Sequence, residues 1–297
     1  MSDGGFSLYG RYPAEVKLTA YGVLEFTDMA KTRHIDPNVI KRARDWLASK
    51  QQANGSWSYS YRKDVKGDLR LTAYVAWALS SAGDRSKAMT KALDYLKKHR
   101  SQARSLYVKA LIANALLAHN SNSKVGLKML AEFNAVKKQS PKTCHWTCGG
   151  AGVMYSRGNY LDIETTSLIT LAMLKSGTYR DTILKALRWI SNQKRPRGGW
   201  GNTQSTILAI KAMLAGTSCR SGSDVDSKIK ILVNDETVKR LDIDKSQSDV
   251  VQLVDLTKHI TKGENRVRLD KTAGDDIAYV ISGSYWTPQD ARDAPQN

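Results

Sequence analysis

The feature that most constrains this chain is a glycine-rich turn that comes directly before an apolar helix and occurs four times within residues 1–217. The four turns read "DGGFSLYG", "NGSWSYS", "CGGAGVMYS" and "GGWGNTQ". Each leads into a segment that opens near a Thr or Ser and is apolar on several sides of a helix. Such a helix belongs in the interior of a protein. Because one unit cannot bury its own apolar surface, the repeat predicts stacked hairpins of inner and outer helices.

Apolar residues recur at helical spacing in nine segments, which we interpret as nine helices with short connections. Asp36 is expected to cap the second helix, with Pro37 at its first position. The turns are irregularly spaced, and this favours a closed ring over an open solenoid of identical units. The predicted helices cover 14–29, 39–48, 69–82, 88–97, 105–118, 124–133, 163–175, 182–192 and 203–214.

The pattern changes after residue 217, where short segments rich in Val and Ile alternate with turn residues. The sequence "GTSCRSGSDVD" is small and polar, and it predicts the domain boundary. Two domains are therefore expected, a helical one in 1–217 and an antiparallel β-domain in 218–297. The predicted strands lie within 227–243, 249–256, 265–270 and 276–286.

The net charge of +18 is unevenly distributed. Residues 1–217 hold 34 Lys and Arg against 14 Asp and Glu, whereas residues 218–297 hold 12 against 14. The positive potential of such an excess of Lys and Arg attracts anionic polymers, membranes or acidic protein surfaces. Basic residues spread over a solvated helical exterior are the alternative explanation. No helix-turn-helix, finger or RNA-binding signature is present, so no nucleic-acid partner is expected. The sequence also has no apolar run long enough to span a membrane and no signal peptide at its start.

Residues 3–216 resemble the thioester-containing domain of alpha-2-macroglobulins and complement components in the order and approximate spacing of their blocks. The tail, ending in "DDIAYVISGSYWTP", resembles the β-sandwich that accompanies this domain. The resemblance implies a mainly α fold, an α/α toroid of paired helices followed by a small antiparallel β-sandwich. The blocks are "DGGFSLYG", "KLTAYGVLEF", "IDPNVIKRARDWLASKQQANGSW", "DLRLTAYVAWAL", "LYVKALIANAL", "CHW", "IETTSLITLAMLKS" and "ALRWISNQKRPRGGWGNTQSTILAIKAM".

In that family a strained thioester joins the Cys and Gln of a Cys-Gly-Glu-Gln motif, and it captures proteases or marks microbial surfaces. This sequence contains no Cys-x-Glu-Gln. The resemblance implies that the motif lies upstream of residue 1 in a longer protein, and a relative without the chemistry is the alternative. Some complement proteins carry a catalytic histidine after the second turn, but "SYSYRKDVKGD" has none. An upstream thioester is therefore expected to react with amines.

The resemblance also implies an extracytoplasmic location, secreted or periplasmic, and a non-enzymatic role toward proteases or anionic cell and microbial surfaces. In an exported protein Cys144 and Cys148 are the expected disulfide, with pairing to Cys219 as the alternative. In a reducing compartment all three thiols would only pack. A zinc site formed by these cysteines and His145 is disfavoured because adjacent residues make awkward joint ligands. No metal or cofactor is expected.

Two interpretations stay open for the tryptophans of the turns. Trp57 and Trp200 are expected to pack at the corners with their indole N–H groups on carbonyl oxygens. Alternatively, Trp57, Trp146 and Trp200 contact a ligand or surface. A ligand would suit the other class of toroid, the triterpene cyclases and protein prenyltransferases. The sequence "QQANGSW" resembles the repeat of the cyclases. A cyclase needs a strong acid in a dry pocket, and no Asp-x-Asp-Asp is present. A basic docking module for anionic surfaces is the third possibility.

Overall fold

The protein is described by a computed structural model over residues 3–10, 13–59, 66–196, 198–220, 226–247, 252–274 and the single positions 277, 279, 281 and 283. It divides into two compact units, residues 1–219 and 220–297. The described part contains nine α-helices and five short strands. The fold is mainly α with a small antiparallel β part, as predicted.

The helices of the first unit alternate between an inner and an outer layer. Inner helices α1, α3, α5 and α7 pack side by side in chain order, and outer helices α2, α4, α6 and α8 each pack on the preceding inner helix. The helices are α1 (Val16–Met29), α2 (Pro37–Ser49), α3 (Leu69–Ser81), α4 (Lys87–His99), α5 (Leu106–His119), α6 (Lys124–Val136), α7 (Asn159–Ser176), α8 (Arg180–Asn192) and α9 (Thr203–Arg220).

Burial follows the predicted difference between inner and outer helices. In α3 every residue from Leu71 to Ser80 is buried, whereas α2 buries only Ala43, Trp46 and Leu47. An inner helix is thus covered on all sides, and an outer helix contributes one apolar face. Asp36 caps α2 by accepting a hydrogen bond from the Asn38 N–H at 2.9 Å, with Pro37 at the first position, as predicted.

Helix α9 returns to α1. The ammonium group of Lys211 pairs with Glu25 at 2.8 Å and with Asp28 at 3.0 Å, both on α1. The last helix of the unit therefore lies beside the first, as in a ring of paired helices. Among the described residues no helix combines the length and the apolar character that are needed to cross a bilayer.

Two small sheets complete the described elements. Strands β1 (Lys138–Gln139) and β2 (Cys144–His145) form an antiparallel pair between α6 and α7. In the second unit, β3 (Ser227–Val233) pairs antiparallel with both β4 (Glu236–Ile243) and β5 (Val267–Ala273), in the order β4-β3-β5. Asn234 and Asp235 join β3 to β4 with φ values of 51° and 67°, which is typical of a two-residue hairpin turn.

The predicted strand at 249–256 is wrong over its described part, because residues 252–256 form no strand and Leu253 is 95% exposed. Of the last predicted strand, 276–286, only the positions 277, 279, 281 and 283 are among the described residues. The described part of this unit forms one three-stranded sheet.

Candidate functional site

Four aromatic residues occupy equivalent positions at the amino-terminal ends of the inner helices. The backbone N–H of each donates to the hydroxyl of a Thr on the inner helix that follows. We call these four positions the corners. The bonds are Phe6 to Thr19 at 2.9 Å, Trp57 to Thr72 at 2.9 Å, Trp146 to Thr166 at 3.2 Å and Trp200 to Thr206 at 2.9 Å.

The three corner tryptophans also bond to the preceding outer helix through their indole Nε1–H. The acceptors are carbonyl oxygens in the last turns of α2, α6 and α8, and those of Leu47 and Ile190 also accept the backbone N–H of the C-cap residues Lys50 and Gln193. Trp57 donates to Leu47 at 2.8 Å, Trp146 to Phe133 at 2.8 Å and Trp200 to Ile190 at 2.6 Å.

These tryptophans are buried, with exposed fractions of 0% for Trp57, 0% for Trp146 and 7% for Trp200. Each ring joins an outer helix to the inner helix that follows. For Trp57 and Trp200 this is the packing that the sequence predicted. A ligand or surface could contact the indoles only if a corner opened.

The chain between Trp146 and α7 forms an irregular segment, residues 147–158, which we call the central loop. It receives contacts from the amino-terminal end of each inner helix. Arg70 Nη1 of α3 donates to the Ala151 carbonyl oxygen at 2.8 Å, and the Val153 N–H donates to the Tyr107 hydroxyl of α5 at 3.2 Å. Val153 is fully buried. The loop is thus seated on the inner layer.

Further contacts come from α1, from α7 and from the residue before α9. The Cys148 N–H donates to the Asp162 carboxylate at 2.7 Å, and Asn202 Nδ2 donates to the Ser156 hydroxyl at 2.9 Å. Lys17 of α1 lies 4.8 Å from the ring centre of Tyr155 and donates to its hydroxyl at 3.4 Å. The central loop therefore contacts residues of the four inner helices α1, α3, α5 and α7 and the residue that precedes α9.

Glu164 of α7 lies beneath this loop. It is fully buried, and neither carboxyl oxygen makes a hydrogen bond to a described residue. Burial raises the pKa of Glu164 to about 7, although the neighbouring Ser156 and Tyr107 hydroxyls favour the charged form. A buried carboxyl with a pKa near neutrality is a group that can exchange a proton under physiological conditions.

Two buried phenols share this interior. Burial raises the pKa of Tyr107 and that of Tyr74, and the nearby Glu164 carboxyl raises both further. The Tyr74 hydroxyl and the Ser167 hydroxyl make no hydrogen bond to a described residue. Several polar atoms thus meet inside an otherwise apolar layer of helices.

Glu164 was not predicted as a candidate from the sequence, although it lies in "IETTSLITLAMLKS", one of the segments that resemble the family. The available signal was a single acidic residue inside an inner helix, where an unpaired charge is costly. Tyr107, at the start of a similar helix, gave no comparable signal.

The two described cysteines, Cys144 and Cys148, are free thiols with separate environments. Cys144 is buried, its Sγ–H donates to the Thr182 carbonyl oxygen at 3.3 Å, and burial raises its pKa to about 11. Cys148 is partly exposed. The expected Cys144–Cys148 disulfide is not formed in this structure. The side chain of Cys219 lies outside the described residues.

The described residues contain no group of three or more His, Cys, Asp or Glu that could hold a metal ion. His145, considered as a zinc ligand with the cysteines, instead stacks on Trp189 with the ring centres 4.6 Å apart.

The chain is similar in sequence to several known proteins. Thioester-containing protein 1 allele R1 of Anopheles gambiae is 25% identical over 90% of this chain and 20% of its own length. Ovostatin of Gallus gallus is 26% identical over 77% of this chain and 17% of its own length. Complement C3 of Oncorhynchus mykiss is 27% identical over 71% of this chain and 13% of its own length.

The chain thus spans a fifth or less of the length of these relatives. The sequence model of the A-macroglobulin TED domain matches residues 1–215, which hold all four corners and the central loop. Since that match covers well over half of the chain, the protein belongs to the family of A-macroglobulin thioester-containing (TED) domains.

Proposed function

We propose that this chain acts as the thioester-domain part of a larger alpha-2-macroglobulin- or complement-like protein that captures its targets covalently. The observation that carries the proposal is the family match over residues 1–215. The names of two relatives, a thioester-containing protein and a complement component, support the same role. The targets are proteases or microbial surfaces, and the location is extracytoplasmic.

The covalent group itself must come from residues outside this sequence, since no Cys-x-Glu-Gln occurs here. In the proposal the chain supplies a rigid helical body and does not act as an enzyme. The repeated corner bonds support this structural role, because they fix the relative positions of successive helices. The family match gives no support to the alternative of a terpene cyclase or prenyltransferase.

The experiment is mass spectrometry of the native protein from its source, captured by an antibody to this chain. Samples are compared before and after treatment with methylamine. A longer chain that gains one methylamine and one free thiol supports covalent capture. A chain that gains neither, while a control thioester protein in the same preparation gains both, contradicts it.

One observation favours a second role, docking on an anionic surface. Residues 1–217 hold 34 basic against 14 acidic residues. Exposed basic side chains gather around the β1–β2 hairpin, where Arg188 Nη1 also donates to the Lys142 carbonyl oxygen at 3.1 Å. Binding to a sulfated polysaccharide that weakens steeply with added salt would support docking. Binding that is absent at low salt would remove this role.

A further inference from the structure

The contact between Glu164 and the central loop is unusually close and has no counter-charge. A Cβ atom placed on Gly152 would lie 3.0 Å from Glu164 Oε2, so a side chain at this position would require the carboxyl to shift by a few tenths of an ångström. Neither carboxyl oxygen has a hydrogen-bond partner among the described residues. The loop therefore covers a buried acid and brings only the Ser156 hydroxyl near enough to favour its charged form.

The groups that face Glu164 are neutral. They are the phenols of Tyr107 from α5 and Tyr74 from α3, and the hydroxyl of Ser156 from the loop. Of the nearby cations, Arg70 donates through Nη1 to the Ala151 carbonyl oxygen while its buried Nε has no partner among the described residues, and Lys17 contacts Tyr155. Neither cation contributes to the pKa of Glu164.

The other acids and bases of the inner layer are also paired away from it. Asp162, on the same helix as Glu164, accepts the Cys148 N–H. Lys211 of α9 pairs with Glu25 and Asp28 of α1. From the outer helices α6 and α8 no charged group affects the pKa of Glu164.

We propose that the central loop is a latch, seated on the inner helices while the Glu164 carboxyl is protonated and released when that carboxyl ionises. The inference rests on the contacts of the loop and is independent of the proposed function. A charged carboxylate under Gly152 would be buried without a counter-charge, which is costly. Opening the loop gives the same carboxylate access to water.

The backbone of the loop has the geometry of a hinged segment. Gly150 and Gly158 adopt φ values of 96° and 55°, and neither position has any atom near its potential Cβ. Between them Tyr155 adopts a φ of 65°, a strained value for a residue with a side chain, and its ring is 64% exposed. The seated conformation therefore stores strain that opening can relieve.

The direction of the pH effect follows from the two states. In the seated loop the pKa of Glu164 is about 7, whereas in the open loop it returns toward its ordinary value of 4.5. The seated state thus binds the proton more tightly, and seating is strongest at low pH. From these two values the ratio of open to seated loop should rise about 50-fold between pH 5 and pH 7.5 and level off above pH 7.

Amide hydrogen exchange of the whole chain measures this ratio directly. The informative amides are those of Gly152, which donates to the Ser156 carbonyl oxygen at 2.9 Å, and Val153. After correction for intrinsic exchange, their protection should fall about 50-fold from pH 5 to pH 7.5 in the wild type. It should stay constant in Glu164→Gln, which keeps the shape and removes the charge. The matched control is Asp181→Asn, whose side chain is 76% exposed on α8 and which should behave as the wild type.

A second variant covers the case in which Glu164→Gln does not fold. Tyr107→Phe removes the phenol that favours the charged carboxyl and that accepts the Val153 N–H. Protection of Val153 should then be lower at every pH, and the levelling-off should move above pH 7 because the pKa of the seated carboxyl rises. A flat pH profile in the wild type, or an unchanged profile in Glu164→Gln, would overturn the latch, as would a levelling-off that does not move in Tyr107→Phe.

Discussion

The indole Nε1–H of Trp57 donates a hydrogen bond of 2.8 Å to the carbonyl oxygen of Leu47. Leu47 lies in the last turn of α2, and its carbonyl oxygen also accepts the backbone N–H of the C-cap residue Lys50 at 3.1 Å. The indole thus adds a second hydrogen bond at the end of an outer helix, from the corner that begins the next inner helix. Trp200 repeats the relationship with Ile190, again ten residues earlier in the sequence.

Replacing Trp57 by Phe should show what this bond contributes. The variant keeps an aromatic ring but leaves the Leu47 carbonyl oxygen without the indole donor and creates a small void, so it should lose about 2–3 kcal/mol of unfolding free energy. Urea denaturation followed by circular dichroism measures the loss. Trp189→Phe is the control, because Trp189 is only partly buried and stacks on His145; it should lose less than half as much. Equal losses of unfolding free energy in the two variants would mean that the corner hydrogen bond contributes nothing measurable to stability.

The threonines of the inner helices provide a second test of the corners. Thr72→Val keeps the shape but leaves the buried Trp57 N–H without an acceptor, which should cost about 1–3 kcal/mol. Thr72→Ser retains the hydroxyl and should lose about 1 kcal/mol or less. The same pair of substitutions at Thr206, which accepts from Trp200, should give the same order. A serine variant less stable than the valine variant at both sites would argue that the methyl group matters and the hydroxyl does not.

The helices could be predicted because burial leaves a periodic record in the sequence. All nine predicted segments are helical in the structure, with differences at their ends. Helix α7 begins at Asn159, directly after Gly158, whose φ is 55°. The prediction started it at 163 because the preceding turn contains the polar residues Asn159 and Asp162 and so shows no apolar periodicity. Helix α9 continues to Arg220, so part of the small, polar sequence that predicted a linker is helical.

The site was harder to predict because its groups come from distant parts of the chain. The third corner aromatic is Trp146, and the central loop separates it from its Thr166 partner by 20 residues; at the fourth corner the separation is six. The sequence repeat therefore predicted a glycine-rich turn at the loop, but it did not predict that this turn lies over Glu164. The segment 252–256, which was predicted as a strand, has an alternating pattern, but Leu253 is 95% exposed and Val254 and Leu256 are only partly buried.

The two described cysteines should differ in reactivity toward a disulfide reagent. Cys144 is buried and burial raises its pKa to about 11, so its thiolate is scarce at neutral pH. Cys148 is partly exposed and should be labelled in the native protein, whereas Cys144 should be labelled only after unfolding. Peptide mapping after native and denaturing labelling assigns each site, with Cys148→Ser as the control. A mapped peptide that contains both residues joined by a disulfide in protein from an oxidising compartment would restore the pairing that the sequence predicted.

The ion pairs of Lys211 should stabilise the junction between the last and the first helix. Lys211 is only 17% exposed and lies between Glu25 and Asp28, so Lys211→Met leaves two like charges facing each other. Because Asp28 is 40% exposed and solvent screens it, the expected loss is about 1 kcal/mol at low salt, and less at high salt.

The loss should also depend on pH in a defined direction. Burial raises the pKa of Asp28, but hydrogen bonds and charges from Lys31 and Lys211 outweigh burial and lower it below its ordinary value of 3.8. The stabilisation is therefore present above pH 3.8 and disappears as the pH falls through the lowered pKa, where wild type and Lys211→Met should converge. The control is Lys41→Met, which removes an exposed pair with Asp45 within α2 and should cost about 0.5 kcal/mol or less. If Lys211→Met lost no more than this control at low salt, the contact between α9 and α1 would have to depend on packing alone.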